Sequence, residues 1–165
     1  MSRPEIACAL RPGDVGEIVR LHGVVYAREH GFDATFEAYV AEPLAQCVLR
    51  AHARERIWLA RTGDALVGCV AIVAATLPAD AARVAQLRWF LVAPQARGCG
   101  LGTRLLDTAL AFARTAGYAR ALLWTVSELG AAARLYAAAG FVLAESRPAR
   151  LWGRDLVEER HELLL

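Results

Sequence analysis

The 165-residue sequence contains no lysine and no asparagine, and all 19 of its basic residues are arginine. Without lysine there is no Schiff-base chemistry, no lysine general base and no lysine to close a Walker phosphate loop. The four cysteines, Cys8, Cys47, Cys69 and Cys99, form no Cys-x-x-Cys pair, which removes thioredoxin-like redox chemistry and zinc-ribbon sites. Widely spaced free thiols fit a reducing compartment. The longest apolar run, near residues 65–77, is too short to cross a bilayer and is interrupted by Gly68. The N-terminus lacks the basic-then-apolar pattern of a secretory signal, so a cytoplasmic protein that touches no membrane is expected. A large excess of either charge is also missing: the net charge is only +2 and the arginines are scattered, so no basic face for nucleic acid is expected. No histidine–carboxylate spacing points to a metal, and His22 and His30 read as surface residues. With no repeat, linker or low-complexity tract, one domain over residues 1–165 is expected.

What is present has a readable order. Residues 5–10, "EIACAL", read as a first strand ended by Arg-Pro-Gly-Asp. Asp14 reads as the N-cap of a first helix, which "EHGFD" breaks, and Asp33 starts a second that runs to about Arg50. "RIWLAR" and "LVGCVAIVAATL" flank Thr-Gly-Asp-Ala as a hairpin, and a loop holding Pro78 leads to a strand at 84–92. Leu105, Leu106, Ala109, Leu110 and Ala113 line one face of a helix that stops at Gly117. "ALLWTV" at 121–126 reads as a strand buried on both faces. An alanine-rich helix closed by Gly140 follows, then "FVLAESR" and "LVEERHELLL" as two last strands. The order is β-α-α-β-β-β-α-β-α-β-β.

Residues 94–103, "PQARGCGLGT", place Gly98, Gly100 and Gly102 at alternate positions in front of the third helix. Glycines let successive amides turn toward one point, and the helix adds unpaired first-turn amides and its positive end. That suits a phosphate. A dinucleotide fingerprint needs Gly-x-Gly-x-x-Gly after the first strand of its unit, whereas here the third glycine is misplaced and several strands precede it. The pattern Arg97-x-x-Gly100-x-Gly102 remains, with Arg97 adding an ionic contact to a pyrophosphate. On the motif alone, a turn that merely enters a helix stays open.

A second motif lies downstream. "LRWFLVAPQARGCGLGTRLL" resembles the central acetyl-CoA motif of the GNAT family of N-acetyltransferases, and "LYAAAGF" (Leu135 to Phe141) resembles that family's second signature. The resemblance covers essentially the whole chain. It implies an α/β (α+β) GNAT fold: a mixed, largely antiparallel sheet of about seven strands with about four helices, the fourth and fifth strands splayed apart. It also implies acetyl-CoA as cosubstrate, no metal, and direct transfer of acetyl to a primary amine of a small acceptor. The flanks "YAREHGFD", "LWTVSELGAAARLY" and "LWGRDLVEERHELLL" resemble acetyltransferase domains fused behind a MarR-type winged-helix regulator in bacteria. This chain is expected to stand alone, without the regulator's DNA-binding role.

Roles carry over by position. The resemblance implies that backbone groups of Leu91 and Val92 hold the pantetheine arm, and that Arg97, Gly98, Cys99, Gly100, Leu101, Gly102 and Thr103 hold the pyrophosphate. Cys99 contributes only its N–H. Leu129 stands where the family often has an asparagine on the cofactor arm, so Ser127 or Glu128 would replace that contact. Tyr136 matches the tyrosine that protonates the departing thiolate; plain core packing is its alternative. Arg88 stands where many relatives place a glutamate base, and arginine stays charged and cannot take the proton, so Glu128 or a chain of waters must. Arg88 suits the gripping of a substrate carboxylate, which would make the acceptor an amino acid or related amine; a salt bridge to Glu128 or Asp33 is the alternative. Tyr26, Glu29 and Asp33 are expected on the acceptor rim. Two further readings stay open, a non-catalytic acetyl-CoA-binding or sensing module and a protein N-terminal acetyltransferase. The apolar last strand offers a homodimer contact.

Overall fold

The computed structural model describes residues 3–75 and 83–165; the loop read around Pro78 lies outside the described residues. The elements run β1 (Glu5–Ala7), α1 (Asp14–His30), α2 (Ala34–Arg50), β2 (Arg56–Thr62), β3 (Ala65–Ala74), β4 (Val84–Val92), α3 (Leu101–Thr115), β5 (Arg120–Val126), α4 (Gly130–Ala138), β6 (Val142–Leu151) and β7 (Arg154–Leu164). The strands form one sheet in the order β1-β2-β3-β4-β5-β7-β6. Every neighbouring pair is antiparallel except β4–β5, which is parallel. This is the expected mixed, largely antiparallel α/β arrangement.

Alternation along β3 explains its nearly unbroken apolar sequence. Cys69, Ala71 and Val73 pack under α1 and α2 with Ile18, Phe36, Val40 and Leu44. Val70 and Ile72 point the other way, into Leu105, Leu106, Ala109 and Leu110 of α3. With helices on both faces, every second residue meets a core rather than water.

Local chemistry sets the helix ends. Asp33 caps α2 as expected, its carboxylate accepting the Thr35 N–H at 2.9 Å. Asp14 does not cap α1. Gly13 takes that position with φ 98°, because the Asp14 carboxylate is buried and drawn to Arg61 of β2 and to the Arg11 N–H. Behind α4, Gly140 has φ 94°; its N–H reaches the Ala137 carbonyl, and Phe141 N–H reaches that of Tyr136, each at 3.0 Å. This paired closure is a Schellman motif, and Phe141 packs its ring 5.9 Å from that of Tyr136. The Tyr-x-x-x-Gly-Phe spacing is therefore a device that stops a helix and fixes a tyrosine.

The strands depart from expectation in three places. β1 stops at Ala7, and Leu10 turns into the core beneath the helices. β6 runs through Pro148 to Leu151, which an edge strand tolerates because the missing N–H faces solvent. The last strand, expected to offer an edge to a second copy, is paired by β5 from Glu158 to Leu164 and by β6 from Arg154 to Glu162. The return of β6 covers that edge as far as Glu162.

The β4–β5 pairing holds only from Val84–Arg120 to Gln86–Leu122. Beyond it the strands diverge. On its other side β4 carries a bulge: Leu91 faces Cys69 and Arg88 faces Ala71, so Trp89 and Phe90 together oppose Val70. Trp89 sits at φ 46°, a left-handed conformation costing a non-glycine residue about 1–2 kcal/mol. Bulges bend a strand and re-aim its side chains, and this one lies where the gap opens.

Candidate active site

Two cavities occupy the gap. The wider end holds a cleft of about 580 Å³ between the last residues of β4 (Phe90, Leu91, Val92), the glycine turn and the start of α4. Gly98 and Gly100 adopt φ 77° and 74°, and a Cβ on either would meet nothing within 4 Å. Conformation, not space, requires these glycines. Gly102 differs: a Cβ there would stand 3.3 Å from Leu135, with Val92 and Phe90 behind it, so it keeps the cleft floor open. The first backbone bond into α3 is Arg104 N–H to Gly100 carbonyl, at 3.1 Å. That leaves the amides of Leu101, Gly102 and Thr103 without intrahelical partners, at the positive end of a 15-residue helix. The turn and its unpaired amides fit a pyrophosphate, and the apolar strand ends fit a slender chain leading away from it.

The charged groups here are not arranged as expected. Arg97 donates to the Val92 carbonyl at 3.0 Å and forms a two-pronged pair with Glu29, at 2.9 and 3.0 Å. Glu29 therefore lines the glycine cleft, not an acceptor rim, because the last turn of α1 lies across it. Glu128 also borders this cleft, not the second cavity, and Arg154 of β7 engages both its oxygens, at 2.8 and 3.1 Å. Cys99 is exposed, with its thiol on the Ala96 carbonyl at 3.1 Å. Leu129 takes the N-cap position of α4 with no side-chain cap.

The narrow end of the gap holds a smaller pocket, about 100 Å³, bounded by Leu87–Phe90 of β4 and Leu123–Val126 of β5. It joins the cleft at Tyr26, Phe90 and Leu129, which line both. Its outer wall is aromatic. Tyr26 and Phe36 rings lie 4.6 Å apart, Phe36 and Trp152 4.8 Å, Phe32 and Trp152 4.8 Å, and Tyr39 and Trp152 5.2 Å. Trp152 reaches this wall from the β6–β7 turn, where it and Gly153 take φ 53° and 79°. Asp33 anchors that turn: its N–H donates to the Trp152 carbonyl at 3.1 Å, and a Cβ on Gly153 would fall 2.7 Å from its carboxylate. Capping α2 and holding this turn occupy Asp33, which does not line the pocket as expected.

Arg88 does line it. Its guanidinium lies over the rings of Tyr39 (5.6 Å) and Trp89 (5.2 Å), and no carboxylate among the described residues pairs with it. Neither anticipated bridge forms, since Glu128 is held by Arg154 and Asp33 by the start of α2. Next to it, the buried indole N–H of Trp89 has no partner among the described residues, an unmet donor costing about 1–3 kcal/mol. Strain and a lost hydrogen bond thus coincide at one residue of the pocket wall.

Tyr136 enters the pocket from the α4 side, 6.0 Å ring to ring from Phe90. Burial pushes its hydroxyl well above the usual tyrosine range, so it stays protonated. Tyr26 is pushed up to about 12, again chiefly by burial. His22, expected at the surface, is only 3% exposed and lines the same pocket. Its Nδ1–H donates to the Ile18 carbonyl at 2.8 Å, and burial lowers its pKa to about 4, leaving a neutral ring with Nε2 as acceptor. The signal was present: Ile18, His22, Val25 and Tyr26 share one face at helical spacing. Phe36, Tyr39 and Trp152 were not anticipated as site residues. Among the described residues no cluster of three or more His, Cys, Asp or Glu is placed to hold a metal, and no helix is long and apolar enough to cross a membrane.

Known proteins share this architecture. The model of the acetyltransferase (GNAT) family matches residues 21–141. N-acetyltransferase 8B of Rattus norvegicus is 33% identical over 96 residues, 58% of this chain and 43% of that protein, so the chain spans less than half the length of that relative. An N-acetyltransferase from Staphylococcus aureus superposes with a TM-score of 0.82 at 17% identity, covering 99% of each chain. The yncA protein of Salmonella typhimurium, solved with its cofactor acetyl-CoA, superposes with a TM-score of 0.80 at 18% identity, over 99% of this chain and 94% of that one. At such identities the structural likeness is one of fold.

Proposed function

The chain belongs to the acetyltransferase (GNAT) family, and on that premise we propose that residues 1–165 act as one domain that moves acetyl from acetyl-CoA directly to a primary amine of a small acceptor. One observation carries this reading: β4 and β5 part beyond Gln86 and Leu122, and a backbone-lined cleft and a side-chain-lined pocket meet in the gap.

When bound, acetyl-CoA supplies an activated acetyl thioester. The amides of Gly98 through Thr103, Cys99 included, hold the pyrophosphate with bonds to a charged group worth about 1.5–3 kcal/mol each. Arg97 joins them once it leaves Glu29. Backbone groups of Leu91 and Val92 orient the arm, and Leu129 packs against it where an asparagine would have bonded. Tyr136 holds a proton at Oη and passes it to the departing sulfur. Water takes the amine's proton, since Arg154 already engages both oxygens of Glu128. Arg88 receives a carboxylate on the acceptor, a role supported by its lack of a carboxylate partner among the described residues.

A sensor of acetyl-CoA needs the cleft alone, and the buried Tyr136 and the second pocket are surplus to it. A protein N-terminus needs an open groove rather than a pocket of about 100 Å³. The experiment is to incubate the chain with acetyl-CoA and amines, amino acids and peptides while following release of free thiol. Turnover of small amines is expected. Binding of acetyl-CoA with no turnover of any acceptor would favour the sensor.

A further inference from the structure

Resting on the acetyltransferase reading, the geometry points to a narrower acceptor class: an α-amino acid with an apolar side chain of about three or four non-hydrogen atoms, its carboxylate on Arg88 and its side chain in the aromatic box.

Size sets the upper limit. A dry apolar cavity of roughly 150 Å³ holds a benzene ring, and one water takes about 30 Å³ of liquid. The pocket encloses about 100 Å³, less than a ring needs and enough for a short branched or thioether chain alone, so the carboxylate stays at the mouth, where Arg88 is half-buried over the exposed Tyr39. Its walls suit such a chain. Tyr26, Phe32, Phe36, Tyr39 and Trp152 touch one another around it, so an apolar group that enters exchanges water for ring faces and edges.

Charge sets the polarity. Arg88 is the lining arginine, and its place over the rings of Tyr39 and Trp89 holds the guanidinium without using its N–H donors, which can fork a carboxylate. The lining carboxylate is Glu158, whose Oε2 already accepts from Arg147 at 2.8 and 2.9 Å. His22 is neutral. A second ammonium on the acceptor would meet Arg88 and no free anion, which disfavours diamines and basic amino acids. An acidic side chain would carry a second negative charge into the aromatic box, where no cation other than Arg88 lines the pocket to compensate it.

Initial rates measured at fixed, saturating acetyl-CoA test this. The acceptors are glycine, valine, leucine, methionine, tryptophan, glutamate and lysine, with isoamylamine and 3-(methylthio)propylamine as leucine and methionine without the carboxylate. Valine, leucine and methionine should give the highest kcat/KM, with the two decarboxylated amines about 10- to 100-fold lower. Arg88→Ala should abolish that difference, Arg88→Lys should restore part of it, and acetyl-CoA affinity should stay unchanged in both variants. Tyr39→Trp, which fills the box, should move the preference toward glycine. Equal turnover of leucine and isoamylamine, or a preference for lysine, glutamate or tryptophan, overturns the proposal and leaves the acetyltransferase reading intact. Absence of turnover with every acceptor overturns that reading, and this proposal with it.

Discussion

The cleft beside the glycine turn is built on the main chain: unpaired amides at the head of α3 and the end of β4, with Gly98 and Gly100 setting the turn's φ values, Gly102 keeping the floor open, and Arg97, Glu29 and Glu128 at the border. The pocket beside it draws everything from side chains, contributed by α1, α2, β4, β5, α4 and the β6–β7 turn. They share Tyr26, Phe90 and Leu129, yet they tolerate change in opposite ways. A backbone site ignores most side-chain substitutions and fails when the chain can no longer take its φ values. A side-chain pocket keeps its fold under substitution and changes what it accepts. One domain can therefore keep its donor while its acceptor varies.

The two halves come apart most sharply at Tyr136. Tyr136→Phe should lower kcat about 10²–10⁴-fold, the range for loss of a general acid, while calorimetry shows acetyl-CoA binding unchanged. A matching loss of binding would mean that the tyrosine packs the cleft and does not serve the chemistry.

His22 should dominate the acid stability of the pocket side. Its folded pKa is depressed to about 4 against 6.5 for the free side chain. Between those values the unfolded chain binds more protons than the folded one, so stability present above pH 6.5 is lost as pH falls toward 4, on the order of 3 kcal/mol in full. Denaturant unfolding across that window should show the slope, and His22→Gln should flatten it.

A break confined to the cleft comes from Gly100→Val. A β-branched residue cannot hold φ 74° without strain of about 1–2 kcal/mol, so the turn should shift its amides and weaken acetyl-CoA binding about tenfold. Acceptor preference should not move. The smallest effect should come from Glu29→Gln, which frees Arg97 from a half-exposed pair worth about 0–1 kcal/mol. Acetyl-CoA should then bind a few-fold more tightly, by the same arithmetic; weaker binding would make Glu29 a positioning group and not a competitor.

The same contrast explains what could be read early. "PQARGCGLGT" and "LYAAAGF" are short because each encodes a local backbone event, a turn into a helix and a Schellman closure. The alternation of β3 and the helical spacing of α3 are local as well, so the order of elements was legible. Asp33 shows the limit. Its capping role needs only its neighbours and was anticipated, whereas its contact with the Trp152–Gly153 turn depends on a segment more than a hundred residues away. Glu29, Glu128 and Arg88 show the same limit. Each is a charged residue whose partner, or lack of one, is set by packing.

By itself, the sequence determined the absences (no lysine chemistry, no paired cysteines), the order of strands and helices, and the two motifs that mark the cleft, because each follows from residue type or from contacts within about one turn of chain. Only the tertiary structure decided where the strands part, which carboxylates are already occupied, and that His22 and nine aromatic side chains line a single pocket. Those outcomes depend on side chains from distant segments competing for the same few ångströms, and no local pattern records who wins.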